Sequence, residues 1–373
     1  MTTATQYPWR RERSSRRRAL GIGIVEIMSA LTLGLVVIGA LGQLYVGSVK
    51  SHQLSYNLAQ LGESGRFAVD LLASELRMAG YLSCGGSSAR VANALDGDDH
   101  WLYQTGAIDG YEGGVDSLPA ELIGQVRANT DLLILRRASS DQAQSVVSDD
   151  PANAVMELGL DHGFQPGEIL VISNPSCVQA SIFQVTGLRN IGNPQAPSLF
   201  DAIEHDANVS LTPGNCSADL FGAYDCSTPE SAVPGSFSAG SMVSRFLVAA
   251  YYVSTDDPPA LVRKRLSVEN GQAVVVTDVL VRNVEDFQVL YGRDTDPDGS
   301  HSVDDYVTAD QVTDWGQVVS VSFGLLVRSR DDGIRTEASA QAFPLPGRTV
   351  IAPADRHLRR SFGSVVALRN NLP

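Results

Sequence analysis

Cysteine, histidine and the motifs of common enzyme sites are scarce in this sequence of 373 residues. Its four cysteines form no CxxC pair and have no Cys/His spacing typical of zinc sites. Its six histidines are scattered without HxH or HExxH spacing, and no GxSxG, P-loop or GxGxxG motif occurs. Since no constellation for catalysis is present, we predict that the protein is not an enzyme and requires no cofactor.

Basic residues are scarce outside the N-terminus. Residues 1–21 hold six Arg and one Glu, so the formal net charge of −14 leaves a charge of −19 on the remaining chain. An acidic body of this kind repels the phosphates of nucleic acids. A nucleic-acid partner is therefore not expected.

The basic N-terminal residues precede a long apolar segment. Residues 10–18 read RRERSSRRR, and an almost uninterrupted apolar run follows from Ala19 to Val49. This order predicts insertion into a membrane with the basic end in the cytoplasm. A helical span from about Ile27 to Val46 would be about 30 Å long, the thickness of one hydrocarbon core. We therefore predict a single pass through the inner membrane, with the head in the periplasm.

One carboxylate interrupts the start of this apolar run. Residues 21–26 read GIGIVE, so that Glu26 follows Gly21 at a five-residue spacing. An ionisable group inside a membrane costs a few kcal/mol unless it is paired. The pattern resembles the leader of type IV prepilins, and this resemblance implies cleavage between Gly21 and Ile22 by a prepilin peptidase. The alternative is an ordinary signal anchor in which Glu26 is incidental.

The prepilin resemblance implies a role for the new N-terminus. The amine of Ile22 would be methylated and still charged, and the Glu26 carboxylate would neutralise the amine of a neighbouring subunit in a filament core. A buried pair of this kind specifies register more than it adds stability. The sequence departs from the commonest pattern because Ile22 stands in place of Phe and Gly23 in place of Thr or Ser.

After Val49, the apolar pattern becomes one-sided and predicts an amphipathic helix. Small and apolar residues recur at three- and four-residue steps, namely Leu54, Leu58, Leu61, Gly65, Ala68, Leu72, Leu76 and Ala79. Gly80 is expected to end the helix. The predicted organisation is therefore a cleaved leader at 1–21, a helix at 22–80 and a globular head at 81–373.

The head is predicted to be rich in β-strands. The strand candidates are Asp131–Arg136, Glu168–Ser173, Ser181–Thr186, Arg245–Ser254, Ala260–Leu266, Ala273–Val281, Asp286–Tyr291 and Val318–Arg328. The span from Cys84 to Pro119 is expected to be a long surface excursion, and residues 187–240 are expected to be loops. The predicted fold class is α+β, a long N-terminal helix packed on a mostly antiparallel sheet.

The cysteines lie at Cys84, Cys177, Cys216 and Cys226. An even count behind a membrane-targeting N-terminus indicates two disulfides in an oxidising compartment. Of the three possible connectivities, we favour a local Cys216–Cys226 bridge and a long-range Cys84–Cys177 bridge. Four buried free thiols are the alternative.

Three stretches carry a more specific resemblance. Residues 61–84, LGESGRFAVDLLASELRMAGYLSC, resemble the end of the helix in PilW-type minor pilins. Residues 279–299, VLVRNVEDFQVLYGRDTDPDG, and the strand VVSVSFGLLVRS after Trp315 are similar to the same family. Residues of about 90–240 match no motif, so their role is not predicted.

The PilW resemblance implies a pilin-like fold and a structural role in the type IV pilus. A minor pilin of this type would assemble with other minor pilins and the major pilin, prime polymerisation at the tip and support a tip adhesin, and so serve adhesion and twitching motility. The first alternative is a minor pseudopilin of a type II secretion system, because its leader is the same. The second is a membrane-anchored periplasmic enzyme, for which no motif is present.

One acidic stretch has the spacing of a calcium loop. Oxygen-bearing side chains occupy positions 1, 3, 5, 7, 9 and 12, with Gly299 at position 6; they are Asp294, Asp296, Asp298, Ser300, Ser302 and Asp305. Asp305 replaces the usual Glu of the last position, and no helices are predicted to flank the loop. We predict that Ca²⁺ binds here, between strands. The alternative is a solvated acidic turn.

Overall fold

The computed structural model describes residues 21, 23–83, 90–97, 100–192, 201–207, 210–228, 231–296, 301–335 and 337–371. The chain divides into two compact units, Met1–Ser55 and Tyr56–Pro373. Helix α1 (Ile24–Met78) contributes residues to both units. The second unit contains all the described strands and is the head.

The strands of the described chain are, in order, β1 (Arg90–Asn93), β2 (Ile108–Tyr111), β3 (Leu132–Ala138), β4 (Gln144–Ser145), β5 (Ser148–Asp150), β6 (Val155–Glu157), β7 (Ile169–Ser173), β8 (Gln179–Gln184), β9 (Gly187–Arg189), β10 (Ala202–Glu204), β11 (Met242–Val253), β12 (Ala260–Glu269), β13 (Gln272–Arg282), β14 (Val284–Arg293), β15 (Asp305–Val307), β16 (Val318–Arg328), β17 (Gln341–Leu345), β18 (Arg348–Ala352) and β19 (Arg359–Ala367). Short 3-10 helices occur at Ala120–Leu122, Pro151–Asn153, Ala309–Gln311 and Trp315–Gln317.

Nine of the described strands form one large sheet, which has the order β1-β8-β7-β11-β12-β13 and also contains β2, β3 and β4. Strand β11 joins its two halves, because its first residues pair with β4 and β7 and its later residues pair with β3 and β12. Three smaller sheets have the orders β5-β6-β10-β9, β15-β14-β16-β19 and β17-β18. The pairing is antiparallel throughout the described strands except between β1 and β8. The predicted α+β class is confirmed.

All eight predicted strands are present, with ends shifted by a few residues. The predicted surface excursion at Cys84–Pro119 is wrong. Its described residues supply β1 and β2 to the large sheet, and Trp101, Leu102 and Tyr103 are buried in the core beneath that sheet. The polar composition of this span gave no sign of the two strands, because the burial of a short strand depends on its tertiary contacts rather than on its own sequence.

Two further regions also contain unpredicted strands. Residues 187–240, predicted as loops, include β9 and β10, and the region after β16 includes β17, β18 and β19. Strand β19 alternates between exposed and half-buried side chains and pairs along nine residues with β16. These strands form because a neighbouring strand offers a complete ladder of backbone hydrogen bonds, which the local sequence does not reveal.

The helical part of the head packs on two sheets. Its buried stripe runs from Leu61 to Ala79 and shares one hydrophobic core with residues of β3, β11, β12 and β13 and of β14, β16 and β19. The predicted stripe is therefore confirmed from Leu61 onward, whereas Leu54 and Leu58 are exposed. Gly80 ends the helix with a φ of +77°, a conformation that favours glycine.

Gly65 lies where the helix packs closely against Phe362 of β19. A Cβ atom added to Gly65 would overlap the ring of Phe362, whereas a Cβ added to Gly62 would meet only the end of the Arg66 side chain, at 3.7 Å. The glycine of the Gly-Arg-Phe motif is therefore needed for packing. Its neighbour Gly62 is not constrained in this way.

These two glycines form a matched pair for a stability test. We expect Gly65→Ala to lower the stability of the head by about 1–3 kcal/mol, because the Phe362 ring must move out of a packed site. Gly62→Ala is expected to be neutral or stabilising by up to about 1 kcal/mol, because alanine favours helix. Thermal unfolding of both variants in detergent measures the difference in stability between them. Equal melting temperatures would contradict the packing argument.

Candidate anchor segment and acidic loop

The N-terminal segment places a carboxylate in the first turn of α1. The N–H groups of Glu26 and Ile27 both donate to the carbonyl oxygen of Gly23, at 3.0 and 3.1 Å, and so begin the helix. Glu26 lies in this first turn, where the helix dipole favours a negative charge. Gly21 is described and exposed, whereas Ile22 and residues 1–20 lie outside the described residues.

The following helical residues form an exposed apolar surface. From Ile24 to Val49 every side chain is exposed, and Glu26 is the only formally charged residue in this stretch. The helix contains an 18-residue window of mean hydropathy 2.3, none of it buried within the protein. By length and composition α1 can cross a membrane. An unburied apolar segment of this kind is stable in lipid or against other protein surfaces, not in water.

The predicted calcium loop lies between β14 and β15. The carboxylates of Asp294, Asp296 and Asp304 offer oxygen atoms that lie within 4.8 Å of one another. Asp304 accepts hydrogen bonds from the backbone N–H and the hydroxyl of Thr295, at 2.7 and 2.9 Å. The Oδ1 atom of Asp294 is buried and has no hydrogen-bond partner in the described structure, while its Oδ2 lies 3.5 Å from Nδ1 of His301.

The structure differs from the predicted ligand set at the end of this loop. Asp305 is bound to Arg293 through contacts of 2.7 and 3.1 Å, and these hydrogen bonds lower the pKa of Asp305. Asp304 instead joins Asp294 and Asp296, because consecutive side chains of an extended segment point to opposite sides.

The other predicted ligands of this loop are Asp298, Ser300 and Ser302. Ser302 is exposed, and Asp298 and Ser300 lie outside the described residues. Calcium binding at the loop therefore stays a prediction. The ligand set that the geometry favours contains Asp304 in place of Asp305.

A calcium titration of the full chain in detergent tests this prediction. A ligand that binds only the folded state at ten times its dissociation constant stabilises by about 1.4 kcal/mol. We therefore expect calcium to raise the melting temperature by about 2–4 °C. The double variant Asp294→Asn with Asp304→Asn should lose the shift, whereas Asp141→Asn, an exposed acid in another loop, should keep it. No shift at 10 mM calcium, a concentration at which even a site with a dissociation constant of about 1 mM would be filled, would remove the site.

The structure describes three of the four cysteines. Cys216 and Cys226 form a disulfide with a Cα–Cα distance of 5.8 Å, so the predicted local bridge is confirmed. Cys177 is half-buried and forms no disulfide with another described cysteine. Its predicted partner Cys84 lies outside the described residues, and that bridge stays a prediction.

The motif at residues 279–299 contributes packing and ion pairs in the structure. Glu285 on β14 accepts two hydrogen bonds from Arg359 on β19, at 2.5 and 2.9 Å, and Arg359 also binds Asp355. The Arg359 guanidinium lowers the pKa of Asp355 to about 2. Tyr291 is buried with its ring edge-on to Trp315, at 4.8 Å between centroids. These contacts join β14 to β19 and to the 3-10 helix that precedes β16. Arg359 carried no signal in the sequence.

The buried carboxylate of Asp131 also has a structural explanation. It accepts hydrogen bonds from the N–H groups of Gly113 and Val289, at 3.0 and 2.7 Å, and so links the β2–β3 connection to β14. Burial raises the pKa of Asp131 to about 7, and the two N–H donors oppose this increase. Its partners are backbone groups rather than a nucleophile or base.

The described protein is therefore a β-rich head attached to a long N-terminal helix with an exposed apolar segment. Residues 250–370 match the family model of PilW, the type IV pilus-assembly protein W. The match runs from β11 past β19 and covers about a third of the chain, including residues 279–299 and the strand after Trp315. The resemblance to PilW is thus confirmed over this region.

Other comparisons are more distant. No curated protein matches the sequence significantly. Among solved structures, a type IV-like pilin from Thermus thermophilus is similar at 15% identity, over 56% of this chain and 87% of that chain, with a TM-score of 0.21.

Proposed function

We propose that this protein is a minor pilin of a type IV pilus, a structural subunit that helps to prime filament assembly at the tip. The match of residues 250–370 to PilW carries the proposal. The exposed apolar helix supports it, because a filament subunit must exchange a lipid environment for the surfaces of other subunits. The single carboxylate at its start supports it further.

Glu26 has a specific purpose in this proposal. An unpaired carboxylate in an apolar filament core would be strongly destabilising, whereas a carboxylate paired with a cation specifies how the subunits align. The cation would be the methylated amine of a neighbouring subunit. A prepilin peptidase would generate the corresponding amine of this chain at Ile22 by cutting after Gly21.

The proposed location follows from the same elements. The anchor would hold the precursor in the inner membrane with its head in the periplasm, and the mature subunit would then enter the fibre at the cell surface. Its partners would be other minor pilins, the major pilin and a tip adhesin. Adhesion and twitching motility would depend on it through the fibre, without catalysis by the head.

A minor pseudopilin of a type II secretion system would use the same leader and anchor. The PilW match favours the pilus, since that family is described by its role in pilus assembly. The two functions predict different phenotypes for the same variant.

A substitution at Glu26 tests the proposal in cells. We expect Glu26→Ala to remove nearly all surface pili, counted by electron microscopy, because the filament core loses its paired charge. The head should keep its melting temperature, since Glu26 belongs to the N-terminal unit and not to the head. Asp70→Ala removes an exposed acid from the helical part of the head and should leave piliation normal. Normal piliation in Glu26→Ala, with lost protein secretion, would instead indicate a pseudopilin.

A further inference from the structure

Strand β13 is an open edge of the large sheet. It runs for 11 residues, from Gln272 to Arg282, and pairs on one side with β12. No described strand pairs with its other side. An edge of this length presents a row of backbone N–H and C=O groups to any extended chain that approaches it.

The side chains of β13 do little to prevent such pairing. Val275 and Val279 are 41% and 48% exposed, and the strand contains neither lysine nor proline. Its one acidic residue, Asp278, is bound by Arg263 and Arg265 of β12. Soluble proteins usually protect such edges with charges, prolines or covering segments. This unprotected strand therefore indicates a surface that a partner covers.

The outer part of the β12–β13 hairpin also has few neighbours within the sheet. Strand β12 pairs with β11 only from Leu261 to Arg265, so its residues Leu266–Glu269 pair with β13 alone. A two-stranded ribbon gains stability when a third strand joins it. Strand addition to β13 would extend the sheet along this ribbon.

An open groove of about 970 Å³ adjoins the C-terminal end of β13. The helix contributes Phe67 to its wall, and β13 contributes Leu280 and Arg282. Phe67 is 50% exposed although it belongs to the Gly-Arg-Phe motif. Gly65 of this motif packs in the core, whereas half of the Phe67 surface is left exposed at the groove.

The groove also contains two unpaired cations. Arg282 and Arg330 are exposed and line it, and neither guanidinium has a hydrogen-bond or ion-pair partner among the described residues. Arg328, which lines the same groove, is bound to Glu285 and Asp257. Glu63 and Asp257 also line the groove, and Asp257 is bound by Arg328. Two unpaired arginines beside one unpaired glutamate still leave a net positive charge, which favours a ligand that carries a carboxylate.

We propose that the outer edge of β13 and this groove together bind an extended, acidic segment of a partner protein. The segment adds to the sheet as a strand, its backbone pairs with β13, and its alternate apolar side chains cover Val275 and Val279. A carboxylate of the segment binds Arg282 and Arg330 beside Phe67. This proposal rests on the head alone and does not depend on the filament role.

A second copy of this chain fits the surface less well. Pairing of β13 with β13 of another copy would bring together two whole bodies that each carry a charge of about −19 after residue 21, whereas a short acidic segment brings only a few charges and places them beside Arg282 and Arg330. Strand β13 of the second copy would itself supply no unpaired carboxylate, because its one acidic residue, Asp278, is already bound within the hairpin. The favoured occupant is therefore a different protein with an acidic, extended segment.

Hydrogen exchange of the full chain in detergent micelles tests the proposal with defined probes. The probes are blocked nine-residue peptides of alternating valine and threonine, with two glutamates at either the N-terminal or the C-terminal end, which allows both strand directions. Matched peptides carry glutamine in place of glutamate. We expect one glutamate peptide to slow amide exchange in residues 273–281, and to bind about tenfold more tightly than its glutamine counterpart.

Different variants test the groove and the edge of β13 independently. Arg282→Gln with Arg330→Gln should reduce binding of the glutamate peptide to the level of the glutamine peptide, whereas Arg369→Gln, an exposed arginine on the segment after β19, should not. Val275→Lys with Val279→Lys should abolish protection of β13, whereas Ile351→Lys, on the exposed face of β18, should not. Melting temperatures identify any variant that fails to fold, and the peptide comparison on the unaltered protein does not need the variants.

Three results would overturn the proposal. Failure of every peptide to protect residues 273–281 would exclude strand addition. Equal affinity for the glutamate and glutamine peptides would exclude the carboxylate. Protection of β13 that rises with protein concentration in the absence of peptide would assign the edge to a second copy of this chain.

Discussion

The head depends on the burial of one face of α1 against two sheets. The stripe from Leu61 to Ala79 supplies one side of the largest hydrophobic core, and Gly65 allows the helix to approach Phe362 of β19. Strand β11 joins the two halves of the large sheet, and the ion pair of Glu285 with Arg359 connects β14 to β19 within the C-terminal sheet. The same helix has no such partner from Ile24 to Val49, where every side chain is exposed. One continuous helix therefore combines a segment stabilised by its own head with an exposed apolar segment that is stable in lipid or against other protein surfaces.

Hydrophobic periodicity predicted the elements in which buried residues recur at a regular spacing. The helix stripe from Leu61, its end at Gly80 and the eight strands rich in β-branched residues all follow from local patterns. Strands β1, β2, β9 and β10 were missed because they are three or four residues long and form by pairing with other strands. The burial of Trp101 and Tyr103 was missed for the same reason, since a short polar connection gives no periodic signal.

Prediction of the candidate sites from the sequence has a similar limit. Spacing alone identified the acidic residues between β14 and β15, but it could not separate Asp304 from Asp305, because side-chain direction depends on where β15 begins. Spacing also identified the Cys216–Cys226 bridge, which closes a short loop. The open edge of β13 could not be predicted, because a sequence does not show which strand lies last in a sheet. The exposure of Phe67 became visible only once Gly65 was placed against β19.

The central claim is that the chain is processed as a prepilin and that Glu26 then serves a filament core. The most direct measurement is the N-terminal sequence and mass of the mature protein isolated from cells. The account predicts that the mature chain begins at Ile22, with a mass one methyl group higher than that of the unmodified residues 22–373. An intact basic segment, or a cut elsewhere in the apolar run, would contradict it.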